Sequence, residues 1–119
     1  MAKVLIADDD IDYLEAFQKG LEALGHVVRG VSHSAEVLPE LRTESYDVVF
    51  LDVLMPGGGA ISLVHDVHSG FPGLPIVILT GSASIFDSPI MTGGLRQASA
   101  RLPKTAPLAD IGKLIHDLI

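Results

Sequence analysis

The sequence predicts a doubly wound α/β domain built on a five-stranded parallel sheet. Three observations lead there. The runs Val4-Leu5-Ile6-Ala7, Val48-Val49-Phe50-Leu51 and Ile76-Val77-Ile78-Leu79 are continuously apolar rather than alternating, which marks short strands buried on both faces. Between them lie stretches whose apolar residues recur three and four apart, the period of a helix with one inward stripe. The 119 residues, 48% of them apolar, suffice for one packed core and leave little room for a second domain, so the domain is expected to run over residues 1–119.

The elements follow in order. The first strand leads into Asp8-Asp9-Asp10, of which Asp10 reads as a turn or helix-capping residue rather than a ligand. The helix after it places Ile11, Leu14, Phe17, Leu21 and Leu24 inward, with Asp12 and Glu15 as the expected cap and Gly25 as its end. Val27-Val28-Arg29-Gly30-Val31 is a weaker strand. A second helix is expected after Ser34, with Val37, Leu38 and Leu41 inward and Pro39 bending or shortening it. The third strand ends at Asp52, and the third helix turns Ile61, Val64 and Val67 inward. From Ser82 to Ala100, Pro89, Gly93 and Gly94 interrupt any period, so a loop and a short helix are expected. A fifth strand is expected around Arg101-Leu102-Pro103, and the last helix turns Leu108, Ile111, Ile115 and Leu118 inward, with Pro107 near its first turn. Short connections between alternating strands and helices dictate parallel pairing and right-handed crossovers; the flavodoxin-like order 2-1-3-4-5 with about five helices is the expected topology.

Composition narrows the function. A formal net charge of −7 disfavours direct nucleic-acid binding by this chain, because phosphates repel an acidic surface. With no cysteine, disulfides and thiolate chemistry are excluded. The first apolar run is too short for a signal peptide, and no run approaches the roughly 20 residues needed to span a bilayer. The expected location is the cytoplasm, with no membrane contact.

The predicted sheet brings distant polar residues together. Asp8 and Asp9 follow the first strand, Asp52 ends the third, Thr80 ends the fourth and Lys104 follows the fifth. All stand at the carboxyl ends of parallel strands, where open α/β sheets bind their ligands. Clustered carboxylates repel one another, and a hard divalent cation such as Mg2+ relieves that repulsion. A carboxylate such as Asp52 is a nucleophile towards phosphorus, and phosphoryl transfer requires mainly positioning and neutralisation of charge, which Lys104 and Thr80 are placed to assist.

These segments resemble the receiver domain of two-component response regulators over essentially the whole chain: VLIADDD at 4–10, VVFLDVLMP at 48–56, IVILTGS at 76–82 and LPK at 102–104. The resemblance implies that Asp52 accepts a phosphoryl group from a sensor histidine kinase or a histidine phosphotransfer protein. It implies that Asp8, Asp9, Asp52 and the backbone carbonyl of Leu54 hold Mg2+, and that Thr80 and Lys104 contact the phosphoryl group and switch a protein-interaction surface. Such a domain catalyses only its own phosphorylation and dephosphorylation. Its downstream effector is not read from the sequence, and a homodimer is compatible with it. An alternative is a degenerate receiver acting as a constitutive interaction module, because Arg101 stands where the family has an aromatic residue, Thr105 replaces the usual proline, and residues 82–100 are irregular. A further alternative is a phosphatase resembling the haloacid dehalogenases, with Asp8 as nucleophile and Asp10 as acid/base. His65 and His68, three apart on a helix, read as a solvated face rather than a metal site.

Overall fold

The computed structural model describes residues 1–55, 59–81, 84 and 87–119. Five strands, β1 (Lys3–Ala7), β2 (Val27–Val31), β3 (Val48–Asp52), β4 (Ile76–Thr80) and β5 (Ala100–Pro103), alternate with five helices. These are α1 (Ile11–Ala23), α2 (Val37–Thr43), α3 (Ala60–Gly70), α4 (Pro89–Gly94) and α5 (Leu108–Leu118). All pairs are parallel and the order is β2-β1-β3-β4-β5, as expected from the sequence. Among the described residues no helix is long and apolar enough to cross a membrane.

The sheet divides the core in two. On one face α1 and α5 contribute Leu14, Phe17, Leu21, Ile111 and Ile115, packed against Val4, Ile6, Phe50, Val77 and Leu79. On the other, α2 and α3 contribute Val37, Leu41, Leu63, Val64 and Val67, packed against Leu5, Val49, Leu51, Ile76 and Ile78. The central strands β3 and β4 are buried at every position, which explains their unbroken apolar runs. Removing one such Leu, Ile or Phe side chain from water contributes about 1.5–3 kcal/mol.

Several helical details differ from the sequence expectation. The cap of α1 is Asp10, whose carboxylate accepts the Tyr13 N–H, rather than Asp12. Starting the helix at residue 11 leaves Ile11 and Leu24 exposed at its two ends, outside the inward stripe. Gly25 ends the helix as expected, at φ 94, where a side chain would strain the backbone. In α3 Leu63 is buried and Ile61 only half-buried, because the helix starts at Ala60 behind a left-handed Gly59 (φ 68). Leu108, in the first turn of α5, is partly exposed. Pro39 is accommodated in the first turn of α2, which follows a short 3-10 turn over Ser34–Glu36.

Among the described residues of the irregular stretch, Pro89–Gly94 form the six-residue α4, which buries none of its own residues and is capped by the Ser88 hydroxyl. It lies close to α3: a Cβ added at Gly94 would stand 2.5–2.8 Å from three side-chain atoms of Ile61. Because Ile61 is β-branched and all three atoms conflict, Gly94→Ala is expected to destabilise the domain by about 1–2 kcal/mol, read as a lower urea midpoint at unchanged m-value.

A candidate phosphoacceptor and metal site

Parallel strands that end together bring their following residues to one edge, and the site is assembled there. Asp8 leaves β1 fully buried, with its backbone N–H donated to the Val31 carbonyl at 3.0 Å. Its Oδ1 accepts the Asp10 N–H at 2.9 Å, so the turn into α1 fixes the carboxylate. Its Oδ2 is 2.8 Å from the Lys104 ammonium. Asp9, one residue on, is exposed. Asp52 closes β3, is 7% exposed, and its Oδ1 accepts the Leu54 N–H at 3.4 Å. Ligand oxygens of Asp8, Asp9 and Asp52 all lie within 4.8 Å of one another.

Lys104 is delivered by the sheet. Its N–H donates to the Thr80 carbonyl at 2.8 Å, extending the β4–β5 pairing by one residue and setting the lysine beside the end of β4. Thr80 is buried there. The ammonium is paired with Asp8 and stands 3.9 Å from Asp52 Oδ2. It also lies 4.5 Å from the centroid of the Tyr13 ring.

Electrostatics follow from this crowding. Burial, then the charge of Asp8, push the Asp52 carboxyl up to about 6, against the pull of Lys104 and the Leu54 N–H. Burial opposes the charge on Lys104, but its hydrogen bond to Asp8 and the charges of Asp8 and Asp52 together raise its pKa. Burial and the same two carboxylates push the Tyr13 phenol up to about 12. Among the described residues the carboxylates of Asp8, Asp9 and Asp52 outnumber the Lys104 ammonium beside them, and each offers a hard oxygen, so the set fits a magnesium ion.

The side chains of Asp8, Asp9, Asp52 and Lys104 thus converge as the sequence predicts, and Thr80 ends β4 beside the Lys104 backbone, while Asp10 is committed to capping α1 and is not placed as an acid/base. Leu54, two residues after Asp52, has its side chain exposed. Of the segments that carry the resemblance, Pro56 and Ser82 lie outside the described residues. His65 is exposed on α3, and among the described residues the one group of carboxylates and histidines suited to a metal is Asp8, Asp9 and Asp52. Tyr13 was not anticipated; its place four residues after Asp9 and four before Phe17, one helical turn in each direction, was the available signal.

The comparisons agree with this geometry. The family model described as "Response regulator receiver domain" matches residues 4–112. The transcriptional regulatory protein PgtA of the Salmonella typhimurium phosphoglycerate transport system is 35% identical over 82 residues, which cover 69% of this chain and 20% of PgtA. The receiver protein CpdR of Brucella abortus is 29% identical over 89 residues, covering 75% of this chain and 74% of CpdR. Among solved structures, the response regulator TrrA of Thermotoga maritima, in complex with Mg2+ and BeF, superposes with a TM-score of 0.87 at 20% identity, covering 100% of both chains. The chain belongs to the response regulator receiver domain family, the phosphoaccepting module of two-component signalling.

Proposed function

We propose that residues 1–119 act as one receiver domain in which Asp52 is the phosphoacceptor, with a histidine kinase or histidine phosphotransfer protein as donor. The observation that carries this reading is the meeting of Asp8, Asp9 and Asp52 within 4.8 Å, with the Lys104 ammonium 2.8 Å from the first and 3.9 Å from the third. Asp8, Asp9, Asp52 and the Leu54 carbonyl would hold a magnesium ion, which when bound supplies neutralisation of the carboxylates and of charge on the phosphoryl oxygens.

The protein's own groups do the rest. An Asp52 oxygen attacks phosphorus while the bond from phosphorus to the donor nitrogen breaks, the electron pair leaving with that nitrogen. Asp8 holds Lys104. The ammonium is near enough to Asp52 to move onto the new phosphoryl oxygens, and the Thr80 hydroxyl supplies a donor from the end of β4. The movement of Lys104 and the new bond from Thr80 would bias the surface around β4 and β5. The domain turns over no separate substrate in this reading. What lies downstream depends on chain context, and PgtA shows that relatives extend far beyond the segment matched here.

The test is intact-mass spectrometry after incubation with magnesium and acetyl phosphate. The wild type is expected to gain one phosphoryl group, labile to hydroxylamine, and Asp52→Ala to gain none. Equal phosphorylation of Asp52→Ala would show that another residue is the acceptor. The lifetime of the product gives a second check. An exposed apolar Leu54 beside the acceptor disfavours an ordered water there, so Leu54→Asn is expected to hasten dephosphorylation severalfold in the same assay; an unchanged lifetime would remove that role.

A further inference from the structure

We propose that Tyr13 is a positioning residue for Lys104: the face of its ring holds the ammonium on Asp8 before phosphorylation, and so fixes where that charge stands when a phosphoryl group arrives. The proposal rests on the reading of Asp52 as acceptor and Lys104 as its counter-charge.

Lys104 has a long, rotatable side chain, and fixing its ammonium costs conformational entropy. Two carboxylates side by side do not choose one location for it. Here the choice is made: the ammonium is 2.8 Å from Asp8, 3.9 Å from Asp52 and 4.5 Å from the centre of the Tyr13 ring. The negative face of the ring attracts the cation, and its apolar body keeps water from that side. The lysine side chain is accordingly only 18% exposed although it follows an edge strand.

The ring is itself anchored. Phe17, one helical turn on, stands 6.0 Å from it, centre to centre. Phe17 meets Phe50 edge-on at 5.0 Å, and Phe50 is two residues before Asp52 on β3. The strand that carries the acceptor therefore also supports the ring that holds the lysine. The Tyr13 phenol oxygen is buried and has no hydrogen-bond partner among the described residues. A hydroxyl left so adds nothing to holding the lysine, which assigns the effect to the ring face.

The experiment uses the whole domain with Tyr13→Leu and Tyr13→Phe. Phosphorylation by acetyl phosphate is followed over donor concentration, and the ε-methylene protons of Lys104 are observed by NMR. In Tyr13→Leu the maximal rate is expected to fall roughly 3- to 30-fold, the range of a partly desolvated cation–π contact, with the donor concentration for half-maximal rate unchanged. Tyr13→Phe, which keeps the face, is expected to match the wild type. The ε protons are expected upfield of ordinary lysine positions in the wild type and in Tyr13→Phe, and to return towards those positions in Tyr13→Leu. Unshifted ε protons in the wild type, an unchanged rate in Tyr13→Leu, or equal slowing in both variants would each overturn the proposal. Should Tyr13→Leu not fold, the wild-type shifts and the Tyr13→Phe rate decide it. A wild type that forms no acyl phosphate would instead sink the acceptor reading, and the ring-current shifts would still judge the contact.

Discussion

Asp52→Asn is expected to stabilise the metal-free domain at pH 7 by about 2 kcal/mol while abolishing acyl-phosphate formation. The carboxylate is buried at the end of β3 beside Asp8, and its pKa stands at about 6 against an ordinary value of 3.8. The folded state therefore holds the Asp52 proton more tightly than the unfolded chain does. Its contribution to stability is fully present below about pH 4 and is lost as pH rises through about 6. Asparagine keeps the shape and carries no charge. The advantage of the variant should be absent near pH 4 and complete by pH 7, read as the difference in urea unfolding free energy across that range. Magnesium should narrow the gap, because an ion bound only to the folded state stabilises it. A variant equal to or weaker than the wild type at pH 7 would mean that Asp52 is not held under this electrostatic load.

Lys104→Met is expected to act in the opposite direction, destabilising the metal-free domain by about 2–4 kcal/mol. The methionine replaces the apolar stem but removes the ammonium 2.8 Å from Asp8, a carboxylate with no exposed surface. Its Oδ1 keeps the Asp10 N–H, whereas Oδ2 loses its partner. Magnesium should restore much of the loss by supplying the missing positive charge, so the thermal midpoint of the variant should respond to magnesium more than that of the wild type. Phosphorylation should slow as well, since no ammonium remains to meet the phosphoryl oxygens. Unchanged stability would show that Asp8 is neutralised by something other than Lys104. The opposite signs expected for positions 52 and 104 express one fact: the site is over-supplied with negative charge and Lys104 is what offsets it.

Much of this arrangement was legible in the sequence, for reasons particular to each part. The strands β1, β3 and β4 read clearly because Val4–Ala7, Val48–Leu51 and Ile76–Leu79 are covered on both faces, so no polar residue interrupts them. The edge strands read weakly because β2 and β5 alternate between covered and open positions and include Gly30 and Pro103. Helix α4 had no readable period because none of its six residues is buried; its placement depends on the Ser88 cap and the close approach of Gly94 to Ile61. For the cap of α1 the sequence offers both Asp10 and Asp12, equivalent by residue type, and only the Asp10 carboxylate meets the Tyr13 N–H.

The site itself was legible because strand ends are fixed by hydrophobic runs. Once Ala7, Leu51 and Leu79 are placed in the sheet, the polar residues after them must meet at one edge. Two features were not legible. Lysine at a strand end reads as a partner of any nearby acid, and its preference for Asp8 over Asp52 emerges only from distances. The contact between Tyr13 and Lys104 joins residues 91 positions apart in the chain (104 − 13 = 91) through a ring face, which leaves no periodic trace.

The central claim, that these carboxylates form a magnesium-dependent phosphoryl site read by Thr80 and Lys104, is tested most directly by NMR titration of the wild-type domain. Magnesium is added first, then beryllofluoride as a phosphoryl mimic on a carboxylate. The account predicts amide shifts at Asp9, Asp52 and Leu54 with magnesium, followed by a second set at Thr80 and Lys104 with beryllofluoride. A domain whose resonances ignore both additions would contradict it.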